Sequence, residues 1–306
     1  MEKNFITGGA GFIGSHLAEE LSNNGSTIVI YDNLSTGNLN NLTGIPHSFV
    51  KGDILDYESL KKAMSGCRYV YHLAAATSVV ESMENPGKYI TINSLGVCNV
   101  LKAARETEVE KIVFSSSAAV YGDSPELPKE ETMKPDPKSP YAVTKLDGEY
   151  YCGIFTDHYG LPAVVARFFN VFGERQDPTS PYAAAIPIFL SKITKSEPIN
   201  IFGDGEQTRD FIYVKDIAKA LVFLMNNGAG VYNIGYGRMM TINELVELLK
   251  KTTGKDVTIR HVDERPGEIR HSYASVKKLL GKGFNPAHNL EKGLEQTVEW
   301  WMKKPR

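Results

Sequence analysis

Tyr141 and Lys145 lie one helical turn apart in SPYAVTK, downstream of the serine run Ser115-Ser116-Ser117. This pairing supplies a phenol that can serve as a base near neutral pH. A free tyrosine ionises near pH 10, and bringing that down to about 7 takes roughly 4 kcal/mol. Two unit positive charges at ~5 Å and an effective dielectric of ~20 would each supply about 3 kcal/mol. Lys145 is one candidate cation and an oxidised nicotinamide ring the other, which points to hydride transfer from an alcohol. Spacing alone is weak, since Tyr57/Lys61 and Tyr273/Lys277 share it and such pairs are common on helix surfaces. Only Tyr141 also has a hydroxyl-rich strand end upstream.

Elements that could position these groups alternate along the first half. Asn4–Thr7, Thr27–Tyr31, Ser48–Val50, Tyr69–Leu73, Lys111–Phe114 and Ala163–Arg167 are short apolar runs that predict strands. Between them, helical periodicity predicts helices over 12–21 and about 57–65, 88–106 and 140–159. This order implies an α/β fold, a doubly wound parallel Rossmann sheet with right-handed crossovers. Its ligands bind beyond the C-terminal strand ends, where the strand order reverses. After Asn170 the pattern loosens into a Pro-rich stretch with one helix near 184–195. Phe211 to Asn226 and Val231 to Ile234 predict a helix and strand returning to the main sheet. The expected division is a dinucleotide domain over 1–170, rejoined by 211–234, and a smaller C-terminal α/β domain from 171–210 and 235–306. Trp300 and Trp301 on the last helix are read as packing residues.

Between the first strand and helix stands TGGAGFIG, with Gly8, Gly11 and Gly14 at intervals of three. They suit a tight turn, close approach to a pyrophosphate, and close helix–strand contact, with helix N–H groups free for phosphates. Asp32, ending the second strand, can accept hydrogen bonds from an adenosine ribose diol and would repel a 2′-phosphate, favouring NAD over NADP. Asp53, after the third strand, can meet the adenine amino group or serve as a turn residue.

Bulk properties exclude several alternatives. The 306 residues carry a net charge of −2, giving no reason to expect binding to nucleic acid or an acidic membrane. Cys67, Cys98 and Cys152 are too few and too dispersed for a disulfide framework or zinc site, and no metal is expected. With no apolar run near ~20 residues and no room for a signal-peptide core before Gly8, a soluble cytoplasmic protein is expected.

With TGGAGFIG, Asp32, Gly52-Asp53, Leu73-Ala74-Ala75, Ser115-Ser116-Ser117 and Tyr141/Lys145 in this order, the chain resembles the extended short-chain dehydrogenase/reductases. Within them it is similar to the UDP-hexose 4-epimerases. The resemblance takes in FFNVFG (168–173), RQDPTSPYAAAIP (175–187), FGDGEQTRDFIYVKDIA (202–218) and RPGE (265–268). It implies Ser117 as the serine on the sugar O4, Tyr141 as the base for the O4 proton, and Lys145 on the nicotinamide ribose, lowering the tyrosine pKa. The implied NAD-contacting set is Gly8, Gly11, Phe12, Ile13, Gly14, Asp32, Asn33, Asp53, Ile54, Leu73, Ala74, Ala75, Asn93, Ser115, Tyr141, Lys145 and Phe168. On the substrate side, Asn170, Arg209 and Arg265 would hold a nucleotide diphosphate and Glu268 the uridine ribose. Ser272 falls where the family limits space for the C2 substituent; a small residue there resembles forms admitting N-acetyl sugars, although a one-residue slip would put Tyr273 there instead. Related 4,6-dehydratases have Asp-Glu after the serine or threonine, where this chain has Ala118 and Ala119, so epimerisation is expected. The helices near 88–106 and 140–159 match those that pair two subunits, implying a homodimer.

Overall fold

The computed structural model describes residues 2–178, 184–264 and 269–303. β1 (Lys3–Thr7) leads into α1 (Phe12–Asn23), followed by β2 (Thr27–Asp32), β3 (Ser48–Lys51), α2 (Tyr57–Met64) and β4 (Tyr69–His72). The short α3 (Val79–Glu84) precedes α4 (Pro86–Tyr89), a π-helical stretch over Ile90–Leu95, and α5 (Gly96–Glu106). β5 (Lys111–Ser117), α6 (Pro140–Tyr159) and β6 (Ala163–Phe168) complete the regular alternation. Next come β7 (Asn170–Phe172), α7 (Ala185–Lys195), β8 (Ile199–Phe202), β9 (Thr208–Arg209), β10 (Phe211–Tyr213), α8 (Val214–Asn227) and β11 (Gly230–Ile234). β12 (Met240–Thr241), α9 (Ile242–Thr253), β13 (Ile259–Val262), α10 (Lys277–Gly281) and α11 (Leu290–Lys303) follow.

Among the described residues the main sheet has seven strands in the order β11-β6-β5-β4-β1-β2-β3. All its pairings are parallel. The chain winds outward through β2 and β3, then crosses back to β4, so the order reverses between β1 and β4. That is the crevice where ligands of such sheets bind.

Alternation along β1 shows how the sheet is sandwiched. Ile6 joins Leu17, Leu21, Ile217, Leu221 and Leu224 in a core under α1 and α8. Its neighbour Phe5 faces the opposite core with Leu60, Val100, Leu101, Phe114 and Cys152, under α2, α5 and α6. Burial on both faces explains why the central strands read as unbroken apolar runs rather than alternating ones. A third core around Phe172, Phe189, Leu190, Phe211, Leu245, Leu249 and Leu294 holds the C-terminal elements together, with Trp301 against it.

Two details differ from the sequence reading. Phe211–Tyr213 form a strand rather than the start of a helix, and pair with Asn170–Phe172 instead of the main sheet. Three consecutive buried, bulky side chains suit a strand covered on both faces. The segment at 88–106 is not one regular helix, because the π-helical turn interrupts it. Among the described residues no helix is long and apolar enough to cross a membrane.

Candidate active site

α6 is turned inside out for an ordinary surface helix. Ser139 caps it, accepting the Ala142 N–H at 3.2 Å, and Pro140 occupies its first turn. Its inward stripe carries Tyr141, Lys145, Glu149 and Cys152, one turn apart, and Gly148 lets it approach the sheet. A Cβ there would lie 2.5 Å from the Phe114 ring. The outward stripe carries exposed apolar groups around Asp147, with Val143, Tyr150 and Ile154 at 51, 61 and 44 % exposure. Buried charge and exposed hydrocarbon reverse the usual pattern, and both signal use.

Tyr141, Lys145 and Ser117 meet at the C-terminal end of β5. Lys145 donates to the Ser115 carbonyl at 2.8 Å, and its Nζ lies 5.9 Å from the Tyr141 ring centre. Burial pulls this ammonium down to about 8, opposed by the Glu149 carboxylate one turn on. Ser117 accepts the Ala119 N–H at 3.2 Å, leaving its own proton free to point elsewhere. Burial holds the Tyr141 phenol above the ordinary tyrosine range, and a hydrogen bond with Ser117, which favours the phenolate, offsets this only in part. The sequence reading gave Lys145 a share in lowering Tyr141; here Ser117 is the counterweight to burial. Ala118 and Ala119 form the first turn of a 3₁₀ helix beside Ser117.

Across the crevice, the three glycines separate into two kinds. Gly8 has φ +71°, and a Cβ on it would lie 2.7 Å from the Ala74 nitrogen. A Cβ on Gly14 would lie 2.2 Å from the Gly8 carbonyl oxygen. The protein's own backbone therefore requires both. Gly11 is different: its Cβ would meet only the Gly8 oxygen, at 3.2 Å. It is the N-cap of α1, which has no side-chain cap bond and no acidic residue in its first turn, where Phe12 and Ile13 lie. An unshielded helix N-terminus beside this less crowded glycine fits the pyrophosphate of a dinucleotide.

Asp32 accepts the Ala10 N–H at 2.9 Å and the Leu34 N–H at 2.8 Å, one on each oxygen. Leu34 sits at φ +62°, a left-handed backbone for a non-glycine residue, so this turn is held where the carboxylate needs it. Asn33 donates to Asp53 at 2.8 Å, and Asp53 also accepts the Leu55 N–H. Asp53 is thus both a turn residue and a neighbour of the expected adenosine site. Ile54 is buried beside it, against Gly96.

The β4 end is organised by Thr7, whose hydroxyl contacts His72 Nδ1 at 2.7 Å and accepts the Leu73 and Ala74 N–H groups. Asn93, in the π-helical turn, binds Ala76 through both its N–H and carbonyl, fixing the strap that follows Ala75. It also donates to Thr144, which donates to the Tyr141 carbonyl at 2.8 Å. Ser115 donates to the His72 carbonyl at 3.0 Å, joining β4 and β5. Phe168 ends β6 on the same side of the sheet.

On the far wall, Asn170 opens β7 and Arg209 closes β9, which pairs with β12. Ser272 donates its N–H to the Thr208 carbonyl at 3.2 Å, next to Arg209 in the chain. Arg265 and Glu268 lie outside the described residues, as does Pro181. Sequence reading missed Asp210, Thr144 and the Glu149–Arg167 pair. The TRDF run and a carboxylate four residues after Lys145 were the available signals.

Comparison with known proteins places the chain among similar folds and sequences. The model of the NAD dependent epimerase/dehydratase family matches residues 4–235. A protein of Methanocaldococcus jannaschii described as a putative UDP-glucose 4-epimerase is 40% identical, covering 98% of this chain and 99% of its own. The UDP-N-acetylglucosamine 4-epimerase of Methanobrevibacter ruminantium, solved with UDP-N-acetylmuramic acid, is 41% identical with a TM-score of 0.95 and covers 98% of both chains. The UDP-glucose 4-epimerase of Thermotoga maritima, solved with UDP-glucose, is 38% identical with a TM-score of 0.95, covering 98% of this chain and 99% of its own.

Proposed function

The chain belongs to the NAD dependent epimerase/dehydratase family, and on that premise we propose that it inverts C4 of UDP-hexoses through a transient 4-keto sugar. The observation that carries this reading is the meeting of Ser117, Tyr141 and Lys145 beside a glycine cradle, with alanines at 118 and 119. Elimination of water across C5 and C6 needs an acid and a base, and those methyl groups supply neither.

Bound NAD supplies the acceptor and donor of hydride for the sugar C4. Tyr141 takes the O4 proton as the carbonyl forms and returns it when the alcohol is regenerated. Ser117 orients O4 and stabilises the phenolate, while Lys145 holds positive charge beside them. Asn170, Arg209, Arg265 and Glu268 retain the nucleotide, Arg being suited to paired phosphate oxygens. The hexose itself stays loosely held, so that after rotation about the diphosphate the keto sugar can take hydride back on its other face while O4 again meets the same phenol. The small Ser272 favours acceptance of UDP-GlcNAc and UDP-GalNAc beside UDP-glucose and UDP-galactose.

The exposed apolar groups of α6, with Ile90 and Leu95 before α5, support a homodimer built on these helices. Sedimentation at micromolar concentration should show a species of twice the chain mass, and a stable monomer refutes it. The reaction is tested by incubating the purified protein with UDP-galactose and no added reductant. UDP-glucose is the expected product, and Tyr141→Phe should slow its formation by about 10²–10⁴-fold. A 4-keto-6-deoxy product, or unimpaired turnover by the variant, would overturn the assignment.

A further inference from the structure

Asp210 follows Arg209 in the chain, yet nothing in the chemistry above uses it. It is fully buried, and burial pushes its carboxyl up to about 6 against three backbone hydrogen bonds. Those donors are Tyr236, at 2.7 Å on Oδ1, and Gly237 and Ala274, at 2.9 and 3.0 Å on Oδ2. Tyr236 and Gly237 lie in the loop leaving β11, the edge strand of the main sheet. Ala274 belongs to the segment Arg270–Ser275, which carries Ser272. The Asp210 carbonyl, in turn, accepts the Asn170 N–H at 3.0 Å. Packing is tight, since a Cβ on Gly235 would lie 2.7 Å from Oδ2 and 2.9 Å from the Ala274 methyl.

The Arg270–Ser275 segment has no helix of its own. Its other backbone ties run to Thr208, through the Arg270 carbonyl and Ser272 N–H, and to Lys129, through the Tyr273 carbonyl and Ser275 N–H. Asp210 is the point at which this segment, the β9–β10 corner, the start of β7 and the edge of the nucleotide sheet are fastened together. The expected substrate residues Asn170, Arg209 and Ser272 stand on three of those four pieces.

We propose that Asp210 is a positioning residue for the nucleotide sugar, holding Asn170, Arg209 and Ser272 in one fixed relation through its carboxylate and its carbonyl. This rests on the UDP-hexose reading. A carboxylate can accept from all three amides at once. An asparagine would turn an NH₂ group toward at least one of them, losing a charge-assisted bond and opposing two donors.

The test compares wild type with Asp210→Asn, measuring UDP affinity by calorimetry, KM and kcat with UDP-galactose, bound NAD, and amide exchange at Tyr236, Gly237 and Ala274. Exchange at these amides should quicken, and Kd for UDP and KM should each rise about tenfold or more, as expected for losing a bond to a charged group. Turnover and NAD content should stay within about twofold, because the Asp210 carboxylate bonds to Tyr236, Gly237 and Ala274 and not to Ser117, Tyr141, Lys145 or the glycine turn. Ala274→Pro removes one donor without touching the carboxylate, so it should weaken UDP in the same way if Asp210→Asn does not fold. Leu249→Ala, in the C-terminal core, controls for general loss of stability and should leave UDP affinity unchanged. Unchanged UDP affinity in both loop variants, a fall in kcat alone, or equal weakening by Leu249→Ala overturns the proposal. Wild type that neither binds UDP nor converts UDP-galactose overturns the UDP-hexose reading itself, and this inference with it.

Discussion

Arg167 on β6 holds Glu149 on α6 in a two-pronged ion pair, Nε to Oε1 at 2.9 Å and Nη2 to Oε2 at 2.6 Å. Ser116 adds a hydroxyl to Oε1, and the second guanidinium arm reaches the Tyr121 hydroxyl at 2.9 Å, which donates to Asn233. The network joins β5, α6, β6 and β11 directly beneath Ser117 and one turn beyond Lys145. Arg167 is held above its usual range by Glu149 despite burial.

Breaking this pair from one side should be far worse than replacing it whole. Glu149→Leu leaves a buried guanidinium without its anion and should cost about 3–5 kcal/mol, most of it recovered by adding Arg167→Met. Urea denaturation of the single and double variants measures this. A double variant no more stable than the single one would contradict it.

Lys145 makes stability depend on pH. Its folded pKa is about 8, below the ordinary lysine value, so between the two the unfolded chain binds a proton that the folded chain has released. Stability contributed by this group therefore rises with pH across that window. Relative to wild type, Lys145→Met, which escapes the burial cost but strands the Ser115 carbonyl, should be more stable at pH 7.5 than at pH 10.5 by on the order of 3 kcal/mol. A gap independent of pH would mean that the ammonium is not desolvated.

The glycines should respond differently to one added methyl group. Gly14→Ala meets backbone at 2.2 Å and should cost about 1–3 kcal/mol in thermal or urea unfolding. Gly11→Ala meets a single backbone oxygen at 3.2 Å and should cost less than Gly14→Ala, yet lose NAD affinity by about tenfold or more, because the methyl occupies the approach to the pyrophosphate. Equal NAD retention after gel filtration would argue against a pyrophosphate at Gly11.

Ser272→Tyr tests the breadth of the sugar pocket. Turnover of UDP-GlcNAc should fall by about tenfold or more while UDP-galactose is retained, a bulky side chain being able to exclude the larger C2 substituent. Unchanged N-acetyl turnover would remove Ser272 from the role of limiting residue.

Much of this architecture was legible in the chain. Phe5, Ile6 and the other central strands are buried on both faces, so each reads as an apolar run. Gly8, Gly11, Gly14 and Asp32 fall where a strand–helix–strand unit must turn. What escaped the reading were residues whose partners are distant in sequence. Asp210 meets Tyr236, Gly237 and Ala274, and Glu149 meets Arg167. Neither carboxylate differs, as a letter, from a solvated one, and only folding reveals three amides or a guanidinium around it. Phe211–Tyr213 was misread for the same reason, since its pairing partner, Asn170–Phe172, lies on the other side of α7 and β8.

The helical turn at Ile90–Leu95 is wider than that of a regular helix, and Asn93 sits within it, clamping Ala76 and Thr144. Each residue of a regular helix advances the side-chain direction by about 100°. Deleting a single residue from this turn would therefore swing the amide out of its clamp while leaving the sequence around it nearly intact. The length of this turn, as well as the amide it carries, therefore sets the wall of the crevice.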